Sequence, residues 1–333
     1  MTVTRFAMVG SGRRSAFYLR VAAALRNDSR QRPFGEQIVE RVGGADPEGT
    51  YRDGYPPSMP MTIVDVPGGH LFAIDEGSGP PIVLLHAGVA DLRAWDAMVE
   101  PLLAAGYRVV RFDTRGYGAS TTEDVEFSHR ADVRAVLDSL GIGRAALVGN
   151  SRGGMIAFDT AIESPERVVA VVGVAAGLGG FEVEATPEEV RIFEAYTAVD
   201  TAEPFDADAL TEFETQVWLD GPGQPPDRVS SHLHDVFRAM ARPLNEPGRV
   251  RGHEIPLEPP ANDRLAELRC PVLAIGGSLD FSDVVQTARH LESAAPDARA
   301  VVWDDVAHMI GMERPDRLAG TIVDFLAPLE RWG

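Results

Sequence analysis

Three residues far apart in the chain carry side chains that together could perform nucleophilic catalysis. Ser151 lies in Gly149-Asn150-Ser151-Arg152-Gly153-Gly154, a G-x-S-x-G pattern. Small residues on either side of the serine let a strand fold sharply into a helix, which holds the hydroxyl exposed at the helix N-terminus. Asp280 ends Gly276-Gly277-Ser278-Leu279-Asp280, and His308 ends Val306-Ala307-His308. A hydroxyl, an imidazole and a carboxylate can serve as nucleophile, general base and orienting acid. That chemistry is acyl transfer. A fourth piece is His86-Ala87-Gly88-Val89. A backbone N–H there, with that of Arg152, could hold the anionic oxygen of a tetrahedral intermediate; losing one such donor costs about 2.7–4 kcal/mol of barrier. His86 itself is read as a brace for its loop.

The elements that must position these residues alternate. Ile82 to Leu85 reads as a short buried strand, Ala94 to Ala104 as a helix and Tyr107 to Phe112 as a strand. Residues 128–140 form an amphipathic helix, with Ala131, Val133, Val136, Leu137 and Leu140 on one side. Strand Ala145–Val148, helix Arg152–Glu163 and strand Val168–Val174 follow. Strands Pro271–Ile275 and Ala300–Trp303 flank a helix around Val284–Leu291. Continuous apolar strands joined by helices predict an α/β fold with a mostly parallel sheet covered on both faces. Ser151, Asp280 and His308 then all fall at carboxyl ends of strands, where open α/β sheets place their sites. Their order is serine, acid, histidine.

Residues 176–265 break the rhythm. Thr186-Pro187-Glu188-Glu189 is a helix start, with a capping Thr, Pro at the first position and Glu three after the cap. Val229, Leu233, Val236, Phe237 and Met240 mark a second amphipathic helix. A helical insertion just before the strand that leads to the acid reads as a lid. Phe193, Trp218 and Phe237 could line its pocket or simply pack its core.

Other residues compete for these roles. Asp283 shares the loop of Asp280 and could replace it as the acid, whereas Glu182 follows its strand too distantly. His70 and His129 precede the serine, His232, His234 and His253 lie in the insertion, and His290 ends a helix; all read as surface or packing residues. Asp113 to Ser120 reads as a structural turn, with Asp113 and Arg115 bonded to neighbouring backbone.

Composition narrows the chemistry further. All 31 basic residues are Arg, which removes Schiff-base, Walker-A, protein-kinase and Ser–Lys mechanisms. A net charge of −19 argues against nucleic acid and anionic lipid as partners. No run approaches a membrane span of about 18 apolar residues. Cys270 is the one cysteine, so neither a disulfide within the chain nor a multi-thiolate metal site is expected, and a reducing compartment, the cytoplasm, fits. The expected partner is a small-molecule substrate, with no cofactor.

From about Met61 to its end the chain resembles the α/β-hydrolase superfamily in its lidded form. The features that match are His86-Ala87-Gly88, the Asp113–Ser120 turn, the Gly149–Gly153 elbow, Asp280 and His308. The resemblance implies Ser151 as nucleophile, His308 as general base, Asp280 as orienting acid, and Gly88 and Arg152 as oxyanion donors, with Val89 in place of Gly88 as the alternative. It implies a core of 61–175 plus 266–333 and a lid over 176–265. Epoxide hydrolases and haloalkane dehalogenases carry Asp where this chain has Ser151. C–C bond hydrolases of the meta-cleavage type usually have a Gly-Pro-Gly loop and a Trp after the histidine; here stand Gly88-Val89-Ala90-Asp91 and Met309. The expectation is therefore a serine esterase acting on a small, largely apolar, neutral ester or lactone. A C–C bond hydrolase or a non-catalytic binding protein of the same fold are the alternatives. The insertion carries 18 acidic and 7 basic side chains, a further argument against anionic substrates.

Residues 1–60 are a separate extension. Thr4 to Arg14 and Tyr18-Leu19-Arg20 resemble the first strand and helix of an oxidoreductase of the glucose–fructose oxidoreductase type. No second strand ends in an acidic residue for a ribose, so nicotinamide binding is not expected. Arg13-Arg14 evokes twin-arginine export, but the apolar stretch between Arg20 and Arg26 is too short for a signal core. Met59 and Met61 are candidate starts of the hydrolase part. The extension is expected to dock loosely or stay mobile, and to contribute nothing to catalysis.

Overall fold

Buried, β-branched runs dominate the middle of the chain and set its sheet. The computed structural model describes residues 5–7 and 59–329. The helix that the likeness at Tyr18-Leu19-Arg20 implies, and the rest of the extension to residue 58, lie outside the described residues. Strand β1 (Arg5–Ala7) pairs antiparallel with β10 (Glu182–Glu184), at the start of the insertion. The central sheet begins with a hairpin, β2 (Met61–Val66) and β3 (Gly69–Glu76), for which the periodicity gave no separate signal. Then come β4 (Pro81–Leu85), β5 (Arg108–Phe112), β8 (Ala145–Asn150), β9 (Val168–Val174), β12 (Val272–Gly277) and β13 (Ala298–Trp303). Their order across the sheet is β13-β12-β9-β8-β4-β5-β3-β2, with the short β6 (Thr121–Thr122) beside β3. From β13 to β5 all pairs are parallel; β3 and β2 close one edge antiparallel.

Every residue of β4, β8, β9 and β12 is buried, as expected of parallel strands covered on both faces. Side chains alternate between two cores, following the period of two. Val83 and Leu85 pack with α2 (His129–Ser139) and α3 (Arg152–Glu163) through Val133, Val136, Ile156 and Phe158. Ile82 and Leu84 pack with α1 (Asp96–Ala104) and α9 (Pro315–Leu326) through Met98, Leu102, Leu318 and Ile322. Between β12 and β13 runs α7 (Ser282–Ala294).

The insertion between β9 and β12 holds α4 (Pro187–Asp200), α5 (Ala207–Glu214), a π-helical turn (Thr215–Asp220) and α6 (Ser231–Leu244). The capping box at Thr186 forms as its sequence predicts: Thr186 Oγ1 accepts from Glu189 N, and Glu189 Oε2 accepts from Thr186 N. Two points differ from the sequence reading. The insertion does contain strands, β10 and β11 (His253–Glu254), the latter paired with β7 (Glu126–Phe127). Helix α5 and the π turn were not foreseen, because a π register breaks the 3.6-residue period that reveals helices. Among the described residues no helix is long and apolar enough to cross a membrane.

Candidate active site

The elbow between β8 and α3 is built by close approach. A Cβ at Gly149 would stand 2.1 Å from Gly153 O, and one at Gly153 2.1 Å from Leu85 O, so neither site admits a side chain. Ser151 between them adopts φ 55° and ψ −117°. Such a conformation costs of order 1–3 kcal/mol and is held by its surroundings. Ser151 N donates to Val174 O on the neighbouring strand. Asn150 Nδ2 donates to Val174 O at 3.0 Å and to His308 O at 3.2 Å, tying the elbow to the histidine loop.

Asp280 follows β12 and His308 follows β13, adjacent parallel strands, so their loops meet. His308 Nδ1 lies 2.7 Å from Asp280 Oδ2, with both side chains buried. The carboxylate's other oxygen accepts from Phe281 N at 2.8 Å. This pairing assigns the proton to Nδ1 and leaves the Nε2 lone pair as the basic site. Asp283 has no such contact with the imidazole. Its carboxyl is pushed up to about 7, first by burial and then by the negative charge of Asp280.

On the other side of the elbow, the open side of Gly88 faces the Arg152 side chain, 3.9 Å from where a Cβ would stand. Among the described residues the backbone N–H groups of Gly88, Val89 and Arg152 donate to no protein acceptor, whereas Ala90 N is already engaged with Ala87 O. His86 braces this loop. Its Nε2 accepts from Thr114 N at 3.0 Å, which requires the tautomer with Nδ1–H, and Nδ1 donates to Ala87 O at 2.8 Å. The Asp113 turn supports the same loop: Asp113 accepts from Leu92 N and Ala119 N, both at 2.8 Å. Arg115 donates to Pro67 O and also pairs with Asp132, a carboxylate partner its sequence did not reveal.

The insertion touches these loops at points with no sequence signature. The Trp218 ring lies 4.7 Å from the His308 ring and 5.2 Å from Phe281, which stacks on Phe193 at 4.7 Å. Gly221, at φ 105°, ends the π turn so near Leu279 O and Ala307 Cβ that an added Cβ would sit 2.7 and 3.1 Å from them. Arg228 Nη1 pairs with Glu313 Oε2 at 2.7 Å, and Glu313 Oε1 accepts from Ala307 N at 2.9 Å. Glu189 of α4 accepts from Ser282 N at 2.6 Å beside the acid loop. Both loops of the pair are therefore held from the insertion. Phe193, Trp218 and Phe237 pack in one apolar cluster with Ala87, Ala90, Phe281, Met309 and Met312, which joins the insertion to the loop after β4 and the histidine loop. His234, read as a packing residue, bonds Asp220 at 3.0 Å, and His290 stacks on Phe181.

The family of the alpha/beta hydrolase fold matches residues 80–315. The chain belongs to that family. It is 31% identical over 273 residues to a 2-hydroxy-6-oxononadienedioate/2-hydroxy-6-oxononatrienedioate hydrolase of Burkholderia vietnamiensis, covering 76% of this chain and 89% of that one. It is 28% identical over 268 residues to the rhodomycin D methylesterase DnrP of Streptomyces peucetius, covering 73% and 89%. The carboxylesterase CesB of Bacillus subtilis superposes with a TM-score of 0.64 at 19% identity, covering 85% of this chain and 96% of that one. This alpha/beta hydrolase is thus an enzyme among named hydrolases, esterases included.

The His86 brace gives the hydrolase a testable acid sensitivity. Burial, followed by the charge of Arg152, lowers its pKa to about 4. The folded state therefore binds neutral imidazole, while the unfolded chain takes up a proton below about pH 6.5. The resulting stability, about 3 kcal/mol, is fully present above pH 6.5 and is lost as the pH falls through 4. Urea unfolding at pH 7.5 and 4.5 is expected to show a larger loss for wild type than for His86→Gln. Equal losses would show that His86 is not bound in its neutral form.

Proposed function

We propose that this enzyme is a serine hydrolase cleaving a small, largely apolar ester or lactone through an acyl-enzyme. The observation that carries the reading is the buried His308–Asp280 contact at 2.7 Å, on the sheet edge where Ser151 starts α3. Ser151 Oγ attacks the scissile carbonyl while His308 Nε2 takes its proton; Asp280 holds the imidazole and favours its protonated form. The backbone N–H of Arg152, with that of Gly88 or Val89, receives the oxyanion. His308 then gives the proton to the leaving alcohol, and a water attacking by the same route releases the acid. Residues 61–175 and 266–333 serve as the core and 176–265 as the lid; the apolar cluster around Trp218 and Phe193 supports a largely apolar substrate body.

A panel of short and medium acyl nitrophenyl esters with one γ-lactone tests the proposal, alongside a fluorophosphonate probe read by mass spectrometry. Turnover with one phosphonyl group on Ser151 is expected. Neither turnover nor labelling, with tight retention of a small molecule, would make the chain a binding protein. The second reading, a C–C bond hydrolase, is favoured by the 31% identity to the Burkholderia enzyme. Bleaching of a 2-hydroxy-6-oxodienoate faster than any ester would establish it.

A further inference from the structure

Arg152 is a partly exposed guanidinium that forms no close ion pair among the described residues. The buried Arg111 pairs with Glu76 and Asp96, Arg115 with Asp132, and Arg130 with Glu163. Arg152, next to the nucleophile, is instead held by a hydroxyl and a ring: Nη2 donates to Thr114 Oγ1 at 2.5 Å, and the guanidinium lies 3.9 Å over the centre of Tyr117. Among the described residues no carboxylate lies within ion-pair distance of it, and its Nε is buried with no acceptor. Glu254, a neighbouring carboxylate, lies 3.8 Å from His129 Nε2 and feels the charge of Arg152 from beyond ion-pair distance. The Arg152 Nε stands 3.9 Å from where a Cβ on Gly88 would lie, at the loop that faces the scissile carbonyl in the proposed reaction.

A charge-assisted hydrogen bond between a guanidinium and a carboxylate is among the strong ones. We infer that the partly exposed Arg152 guanidinium anchors a carboxylate carried by the substrate. The substrate class is then a largely apolar molecule with one anionic group near the scissile carbonyl, such as a half-ester of a short dicarboxylic acid. Thr114 and Tyr117 fix the guanidinium beside the nucleophile. The acidity of the insertion does not oppose this. Glu188, Glu194, Asp208, Glu212, Asp235 and Glu246 face solvent, and Arg238 and Arg242 pair with four of them. Such exposed charges are screened within about 8–10 Å.

The inference rests on the esterase reading, and its test separates the two. Mono-4-nitrophenyl glutarate and the neutral 4-nitrophenyl butyrate are compared as a ratio of kcat/KM, which cancels any general loss at the oxyanion site. Wild type is expected to favour the glutarate, and Arg152→Met to lower the ratio by about ten- to a hundredfold. Arg152→Lys, which keeps a charge but not the planar guanidinium, should fall between. A wild-type ratio near one, or a ratio unchanged in Arg152→Met, overturns the anchor and leaves Arg152 as a brace for Thr114 and Tyr117. Calorimetry with glutarate itself needs no turnover. Weaker binding to Arg152→Met than to wild type keeps the anchor even if neither ester is cleaved, a result that would remove only the esterase reading; equal binding overturns the anchor.

Discussion

Ser151→Ala is expected to lower kcat/KM for every ester that the enzyme hydrolyses by about 10⁴- to 10⁶-fold, leaving only what binding and the oxyanion donors supply. His308→Ala should cost nearly as much, and the double variant little more than either, because base and nucleophile act as one unit. Additive losses would mean that they do not cooperate. The fold should survive the change, since Ser151 Oγ holds up no part of the elbow: its backbone N–H and the Asn150 amide carry the local hydrogen bonds. What Ala retains is the strained backbone at φ 55°. Ser151→Gly should therefore unfold at higher denaturant than Ser151→Ala, by about 1–2 kcal/mol, and be just as inactive. Turnover that persists in both variants would place the nucleophile elsewhere.

The parts of this site that could be read in the chain are those whose signals are local. β4, β8, β9 and β12 announce themselves as unbroken apolar runs because both of their faces are covered. The elbow is legible because close approach excludes side chains at 149 and 153. Position picks out His308 and the loop of Asp280, since a parallel sheet delivers every strand's carboxyl end to one edge, but it leaves Asp283 as an alternative to Asp280. What stayed hidden depends on partners distant in sequence. Asn150 matters through the carbonyl of His308, 158 residues away, and Glu313 through Arg228 and a backbone N–H. Nothing in the neighbourhood of either residue marks it. The Trp218 contact with His308 arises from the π turn, whose register a helical period cannot show. Arg152 drew attention for its backbone N–H; that its side chain forms no close ion pair among the described residues emerges only when the neighbouring carboxylates have been placed.

The identity of the acid separates sharply by substitution. Asp280→Asn is expected to lower kcat by about 10⁴-fold with the fold intact. An amide at this distance can donate to Nδ1, which moves the imidazole proton to Nε2, where it blocks acceptance of the serine proton. It also removes the charge that steadies the imidazolium. Asp283→Asn should change kcat by no more than a few-fold, because that carboxyl contacts no imidazole nitrogen and, with its pKa near 7, is partly protonated at neutral pH already. Its effect should instead appear in stability. Burial and Asp280 raise the folded pKa of Asp283 above its unfolded value, so its neutral form favours folding at low pH and that contribution fades as pH rises through 7. Asp283→Asn should therefore gain stability over wild type at pH 8 relative to pH 5. If Asp283→Asn were the inactive variant and Asp280→Asn the active one, the acid would have to be reassigned, and the 2.7 Å contact would be a structural bond that catalysis does not use.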